Sequence, residues 1–340
     1  MVVLTLCLAG LVAVGCGEDE ESPSGASSQA TPEGKKIKVG IVTDIGGLND
    51  RSFNQLANGG LERAKSELGV EGRALTSKSN ADYVPNLSTL AQQKYDLVIG
   101  VGFLMADAID TVAKKFPDTN FAIIDFPQSA LKSKPTNVRG LLFKEAEAGY
   151  LAGTLAALYV KDKGGDQVIS SVGGQKIPPV DAYIAGYQAA AKKANPGIKT
   201  LNGYSEDFVK QDLCKELALN QIAEGAQVVF QVAGQCGLGA LDAAKEKSMQ
   251  GIGVDADQGY LGAHIISSAL KKVDVAVFDS IKQAQDGSFT GGEDTIFDVK
   301  SGGVGLGELS SEGAKYETQV KDVEEQIKSG EIADIPTEVK

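Results

Sequence analysis

Between residues 44 and 54 the chain reads DIGGLNDRSFN, which gathers Asp44, Asn49, Asp50, Phe53 and Asn54 into one short stretch. Carboxylates and amides pair with hydroxyl groups as acceptors and donors, and Phe53 sets an aromatic face beside them. That chemistry suits capture of a small polar molecule with a flat part. Asp50 or Ser52 also suits capping of a following helix, but the cluster holds more polar residues than one cap needs.

The flanking pattern places this cluster. Ile37, Val39, Ile41 and Val42 make a short, β-branched apolar run that predicts a buried strand of a parallel sheet. Phe53, Leu56, Ala57, Leu61, Ala64 and Leu68 then recur at helical spacing, with Gly69 where a C-terminal cap belongs. A strand, a Gly-rich loop and a helix open a βαβ unit. In open α/β sheets ligands bind beyond the carboxyl ends of the strands, where this loop lies.

Composition limits the function classes. The 340 residues are 42% hydrophobic and 23% charged, enough apolar material for two cores. A net charge of −12 argues against nucleic acid or an anionic membrane surface as partner, because both require clustered Lys and Arg. A neutral or cationic small molecule fits better. His264 is the only histidine and lies in the apolar segment GAHIISSAL, so it is read as structural, and no histidine-based catalysis is expected. With no tryptophan, stacking surfaces must come from Phe or Tyr.

The first residues, MVVLTLCLAGLVAVGCGEDEES, are apolar up to Cys16 and then abruptly acidic. The run is too short to span a bilayer and suits the core of a signal peptide. Ala13, Val14, Gly15 and Cys16 resemble a bacterial lipobox, with Cys16 as the lipidated residue. Ala13 stands where Leu is usual and basic residues are missing ahead of the core, which leaves a start further upstream open. An ordinary secretory signal with an incidental cysteine is the alternative. Residues 17–35 have almost no apolar content and are expected to form a disordered tether. The folded part is thus expected outside the cell membrane, on a lipid anchor.

Further apolar runs at 95–101, 121–126 and 138–143 alternate with helical stretches near 85–93 and 104–115, giving a doubly wound first lobe. From Lys144 a long helix rich in small residues begins. A second set of strands and helices follows, with strands at 168–172, 198–204, 226–233, 250–255 and 264–270. The expected domains are 36–143 plus about 255–298, and 144–254 plus about 299–340, with late segments crossing back between lobes. Such crossings belong to clamshell binding proteins.

Several phrases, in order, resemble one family: DIGGLNDRSFN at 44–54, IIDF at 123–126, VGG at 172–174, VFQVAG at 229–234, GVDADQ at 253–258 and SSALKK at 267–272. They look like the basic membrane protein family, the purine nucleoside receptor type of substrate-binding lipoprotein that serves ABC transporters. The resemblance implies a type I periplasmic-binding-protein clamshell that captures a nucleoside and passes it to a permease. It implies base stacking by Phe53 and Phe208, ribose binding by Asp255 and Lys271, and further polar contacts from Asp44, Asn49, Asp50, Asn54, Asp125 and Gly234. The match at Phe208 is weaker, since Val209, Lys210, Gln211 and Asp212 replace the usual Asp-Pro continuation. No cofactor and no metal is implied.

With Cys7 in the removed segment and Cys16 assigned to the anchor, Cys214 and Cys236 remain in an exported fold. They are expected to pair as a disulfide at the rim of the second lobe, Cys214 on a helix and Cys236 in a Gly-rich turn. Two other readings stay open. A nucleoside hydrolase would also use several aspartates, but Asp44, Asp50, Asp255 and Asp257 are spread over separate loops without a clustered run, and an enzyme is not expected. A receptor of the same fold for a sugar or another polar ligand is the second alternative.

Overall fold

The computed structural model describes residues 35–340. The expected signal segment, Cys16 and nearly all of the expected tether lie outside the described residues. The first sheet is built from β1 (Lys38–Val42), β2 (Glu71–Leu75), β3 (Leu97–Gly100), β4 (Asn120–Ile124) and β5 (Val138–Phe143). The second follows with β6 (Val168–Gly173), β7 (Lys199–Tyr204), β8 (Ala226–Val232), β9 (Gln250–Asp255) and β10 (Ile265–Lys271). Two short strands, β11 (Asp294–Phe297) and β12 (Val304–Leu306), complete one sheet each. The orders are β11-β5-β4-β3-β1-β2 and β12-β10-β9-β8-β6-β7. Strand pairing is parallel throughout except between β10 and β12.

The helices are α1 (Phe53–Leu68), α2 (Tyr83–Gln92), α3 (Ala106–Lys115), α4 (Glu145–Lys163), α5 (Pro178–Ala194), α6 (Gln211–Ala223), α7 (Gly234–Glu246), α8 (Val273–Asp286) and α9 (Glu317–Ser329). Strands β1, β3, β4, β6 and β9 are buried nearly end to end, as strands of a parallel sheet covered on both faces should be. In both sheets the strand order reverses at the first strand of the lobe, so each has a crevice at its carboxyl end.

The second lobe has a backbone-close seam. Gly149 and Gly153 of α4 face the Tyr183 and Tyr187 carbonyls of α5, and Gly186 of α5 faces the Ala146 carbonyl. A Cβ at any of these would collide with backbone, which is why α4 is a run of small residues that is buried almost all round. Tyr183 and Tyr187 then pack against Phe230 in the core.

The chain passes between the two sheets three times, near Lys144, Lys272 and Asp298. These crossings are tied side by side: Lys144 N–H donates to the Phe297 carbonyl at 2.9 Å, and Lys272 N–H to the Gly303 carbonyl at 2.8 Å. The second crossing corrects the expected boundary. β10 pairs in parallel with β9, so Asp255 and β10, expected in the first lobe, belong to the second sheet. The first lobe regains the chain only at α8, which packs on α1 with Gly60 against the Asp274 carbonyl.

Candidate functional site

The cleft between the lobes is lined by segments that follow strand carboxyl ends, and it holds about 630 Å³ of atom-free space including its open mouth. From the first lobe come Asp44, Asp50, Phe53, Asn54, Phe103 and Asp125; from the second come Tyr183, Phe208, Gly234, Asp255 and Lys271. Every residue expected in the ligand site except Asn49 lies here. Asn49 is exposed and lines a neighbouring cavity with Arg51 and His264.

The polar residues of 44–54 divide by role. The Asp50 carboxylate accepts backbone N–H groups of Ser52 at 3.1 Å, Asn54 at 2.7 Å and Gln55 at 3.0 Å, so it caps the first turn of α1. Asn54 accepts the Asp44 N–H through Oδ1 at 3.0 Å, which ties the start of the helix back to the loop after β1. Both residues are almost fully buried and build the loop. Asp44 accepts from the Tyr83 hydroxyl and from Ile45 N–H at 2.6 Å. Burial pushes its carboxyl up to about 6, against the lowering effect of the Tyr83 bond.

Asp125 directly follows β4 and Asp255 ends β9, and both adopt left-handed backbone, φ 69° and φ 60°. For residues other than glycine this conformation is uncommon and recurs at ligand sites. Between the two strand ends lies Lys271, only 2% exposed, with Nζ 2.6 Å from Asp125 Oδ1 and 2.8 Å from Glu145 Oε1. The contact with Asp125 is a close, buried ion pair. The Lys271 ammonium also lies 5.2 Å from the Phe53 ring centroid and 4.9 Å from that of Phe143.

Three buried carboxylates surround this one ammonium. Burial lowers the Lys271 pKa, but Asp125, Glu145 and Asp255 more than offset it and hold the group above the ordinary lysine value, so it stays charged. Burial raises Asp125 against the pull of Lys271, pushes Glu145 up to about 7 and Asp255 up to about 6. Asp255 accepts hydrogen bonds from Ser52 Oγ at 2.7 Å and from the Tyr183 hydroxyl at 3.2 Å.

Phe208 reaches the cleft from the loop between β7 and α6. A Cβ at Gly174 would collide with its ring, and Gly234 at φ 54° passes beside its carbonyl. Its carbonyl accepts the Cys236 N–H at 3.0 Å. Cys236 is joined to Cys214 with Cα atoms 5.6 Å apart. It lies in the first turn of α7 and not in a Gly-rich turn, and both cysteines are fully buried instead of at a rim. The glycines that suggested a turn serve close packing: Gly237 abuts Gln231, and Gly239 abuts the Gln211 carbonyl at the start of α6.

A family model described as ABC transporter substrate-binding protein PnrA-like matches residues 37–337. The chain belongs to this family. Members of this PnrA-like family are substrate-binding proteins of ABC transporters and not enzymes. An uncharacterized lipoprotein of Pyrococcus horikoshii is 38% identical over 338 residues, covering 94% of this chain and 81% of that protein. The ABC transporter nucleoside-binding protein BmpA of Lactococcus lactis is 34% identical over 339 residues, covering 92% of this chain and 93% of that protein. The solved ABC transporter solute-binding protein of Aeropyrum pernix superposes with a TM-score of 0.81 at 29% identity, covering 89% of this chain and 94% of its own. The two-lobed architecture of this PnrA-like chain is the type I solute-binding fold.

Sequence reasoning missed Glu145, Tyr183 and Phe143. Glu145 and Tyr183 sit in helices whose neighbours are small or apolar, and a carboxylate opening the small-residue run of α4 was the available signal for the first. Among the described residues no group of His, Cys, Asp and Glu is placed to hold a metal ion, and no helix is long and apolar enough to cross a membrane.

Proposed function

We propose that this ABC transporter substrate-binding protein captures nucleosides, purine nucleosides foremost, and delivers them to a permease from a lipid anchor at Cys16. The observation that carries this reading is that Phe53 from one lobe and Phe208 from the other line the same cleft as the polar side chains of Asp125, Asp255 and Lys271. Two aromatic faces suit the two sides of one flat base, and each stacked face is worth about 1–3 kcal/mol. The carboxylates of Asp125 and Asp255 suit the paired hydroxyls of a ribose as acceptors, with Lys271 as donor. A neutral ligand fits a site with several carboxylates and one cation.

Closure follows from differential affinity. A ligand that touches both lobes favours the closed form by the contacts it gains there, and the permease then reads that form. The anchored, exported location is supported by relatives that are named lipoproteins. Phe53→Ala and Asp255→Ala, measured by calorimetric titration with guanosine and inosine, are each expected to lose most binding while circular dichroism stays unchanged. Unaltered affinity in both variants would remove these residues from the site.

A further inference from the structure

Ser52 in DIGGLNDRSFN and Gln258 in GVDADQ belong to the two most specific phrases of the sequence, yet neither lines the cleft. Both are fully buried. Ser52, at the start of α1 in the first lobe, donates its hydroxyl to Asp255 Oδ2 in the second at 2.7 Å. Gln258 makes the reverse connection, and its orientation is fixed by its neighbours. Val254 N–H donates to Gln258 Oε1 at 3.2 Å and Gln231 Nε2 donates to the same oxygen at 2.8 Å.

That oxygen is therefore the acceptor, and Gln258 Nε2 must face away from β9. There it donates to the Arg51 carbonyl of the first lobe at 3.2 Å. Arg51 is itself in the left-handed region, φ 56°, unusual for an arginine. The row continues inward, since Gln231 Oε1 accepts the Ala233 N–H at 3.1 Å. Gly253 makes room for it: a Cβ there would stand 2.7 Å from Gln258 Oε1. A buried, mutually satisfied amide row thus ends on a backbone carbonyl of the opposite lobe.

We propose that Gln258 and Ser52 form a latch that prolongs the closed state without touching the ligand. The inference rests on the reading that the lobes close around a ligand. When the lobes part, Gln258 Nε2 and Ser52 Oγ lose their acceptors across the cleft, so the latch acts on ligand escape and leaves the encounter rate alone.

Gln258→Glu, when ionised, keeps an oxygen for Val254 and Gln231 and turns an acceptor toward the Arg51 carbonyl, so that bond is lost and repulsion is added. Ser52→Ala breaks the other bond and adds no buried charge. Stopped-flow binding of guanosine is expected to show dissociation faster by roughly three- to tenfold in Ser52→Ala, the range of one lost hydrogen bond, and by at least as much in Gln258→Glu, with association within about twofold of wild type. Unchanged dissociation in both, or losses carried wholly by slower association, would overturn the latch. If wild-type protein binds no nucleoside, the nucleoside reading fails separately. The same stopped-flow comparison with ribose or glucose, whichever then raises Tm, decides the latch: faster dissociation in both variants supports it, and unchanged dissociation overturns it.

Discussion

Lys271→Met keeps the length of the buried side chain and removes its ammonium. Asp125 and Glu145, at 2.6 Å and 2.8 Å from Nζ, then lose their cation while remaining buried. Removing one partner of a buried ion pair costs about 3–5 kcal/mol, because a carboxylate is left uncompensated away from water. With an unfolding entropy near 2.1 cal/mol/K per residue and roughly 300 folded residues, Tm should fall by about 5–8 °C. The deficit also depends on pH with a definite sign. Burial already holds Glu145 at about 7 and Asp125 above its ordinary value, and loss of Lys271 raises both further. A group whose folded pKa is raised stabilises most below its unfolded pKa and loses that contribution as pH rises through the folded value. The Lys271→Met deficit should therefore be greatest at about pH 8 and shrink toward about pH 5, where the carboxyls are protonated. Differential scanning fluorimetry of wild type, Lys271→Met and the triple variant with Asp125→Asn and Glu145→Gln measures this, and the triple variant should recover most of the loss at high pH. A Tm within about 1 °C of wild type at pH 8, or an equal deficit at both pH values, would refute the reasoning.

The buried Asp44 gives a related outcome. Its carboxyl is pushed from 3.8 up to about 6, so wild-type stability from this group declines by about 3 kcal/mol as pH rises through that window, while Asp44→Asn has no such dependence. Denaturant titrations of both proteins across the window should show the stability of the variant rising relative to wild type with pH; parallel curves would contradict this. The Cys214–Cys236 bond closes a loop of 22 positions and should contribute about 3 kcal/mol in the chain-entropy view. Reduction should lower stability by about that amount and weaken ligand binding through the Phe208 carbonyl, and mass spectrometry of exported protein should find no free thiols at these positions.

The interior strands were readable where burial on both faces goes with an apolar run, as in LVIG at 97–100 and FAII at 121–124. The strands at the margins were not. β2 reads EGRAL, half exposed at a sheet edge, and β11 and β12 lie among glycines and charged residues where pairing to a neighbour decides the conformation. The second crossing was placed too early because β10 and its neighbour β9 carry no local mark of which sheet they join. The convergence of Asp44, Phe53, Asp125, Phe208, Asp255 and Lys271 on one cleft was legible, since each lies at or shortly after the end of a strand. What stayed hidden was partnership. That Asp50 and Asn54 spend their side chains on the loop, that Glu145 shares Lys271, and that Gln258 reaches Arg51 are facts of three-dimensional packing across long sequence separations.

The most direct measurement is the melting temperature of residues 35–340, stripped of co-purified ligand by unfolding and refolding, against guanosine, inosine, adenosine, cytidine, ribose and glucose. A ligand at about 100 times its dissociation constant stabilises the fold by roughly 2.7 kcal/mol, a shift of several degrees. Purine nucleosides are expected to raise Tm while ribose and glucose leave it in place. A shift with the sugars alone would contradict the nucleoside assignment and return Phe53 and Phe208 to packing roles.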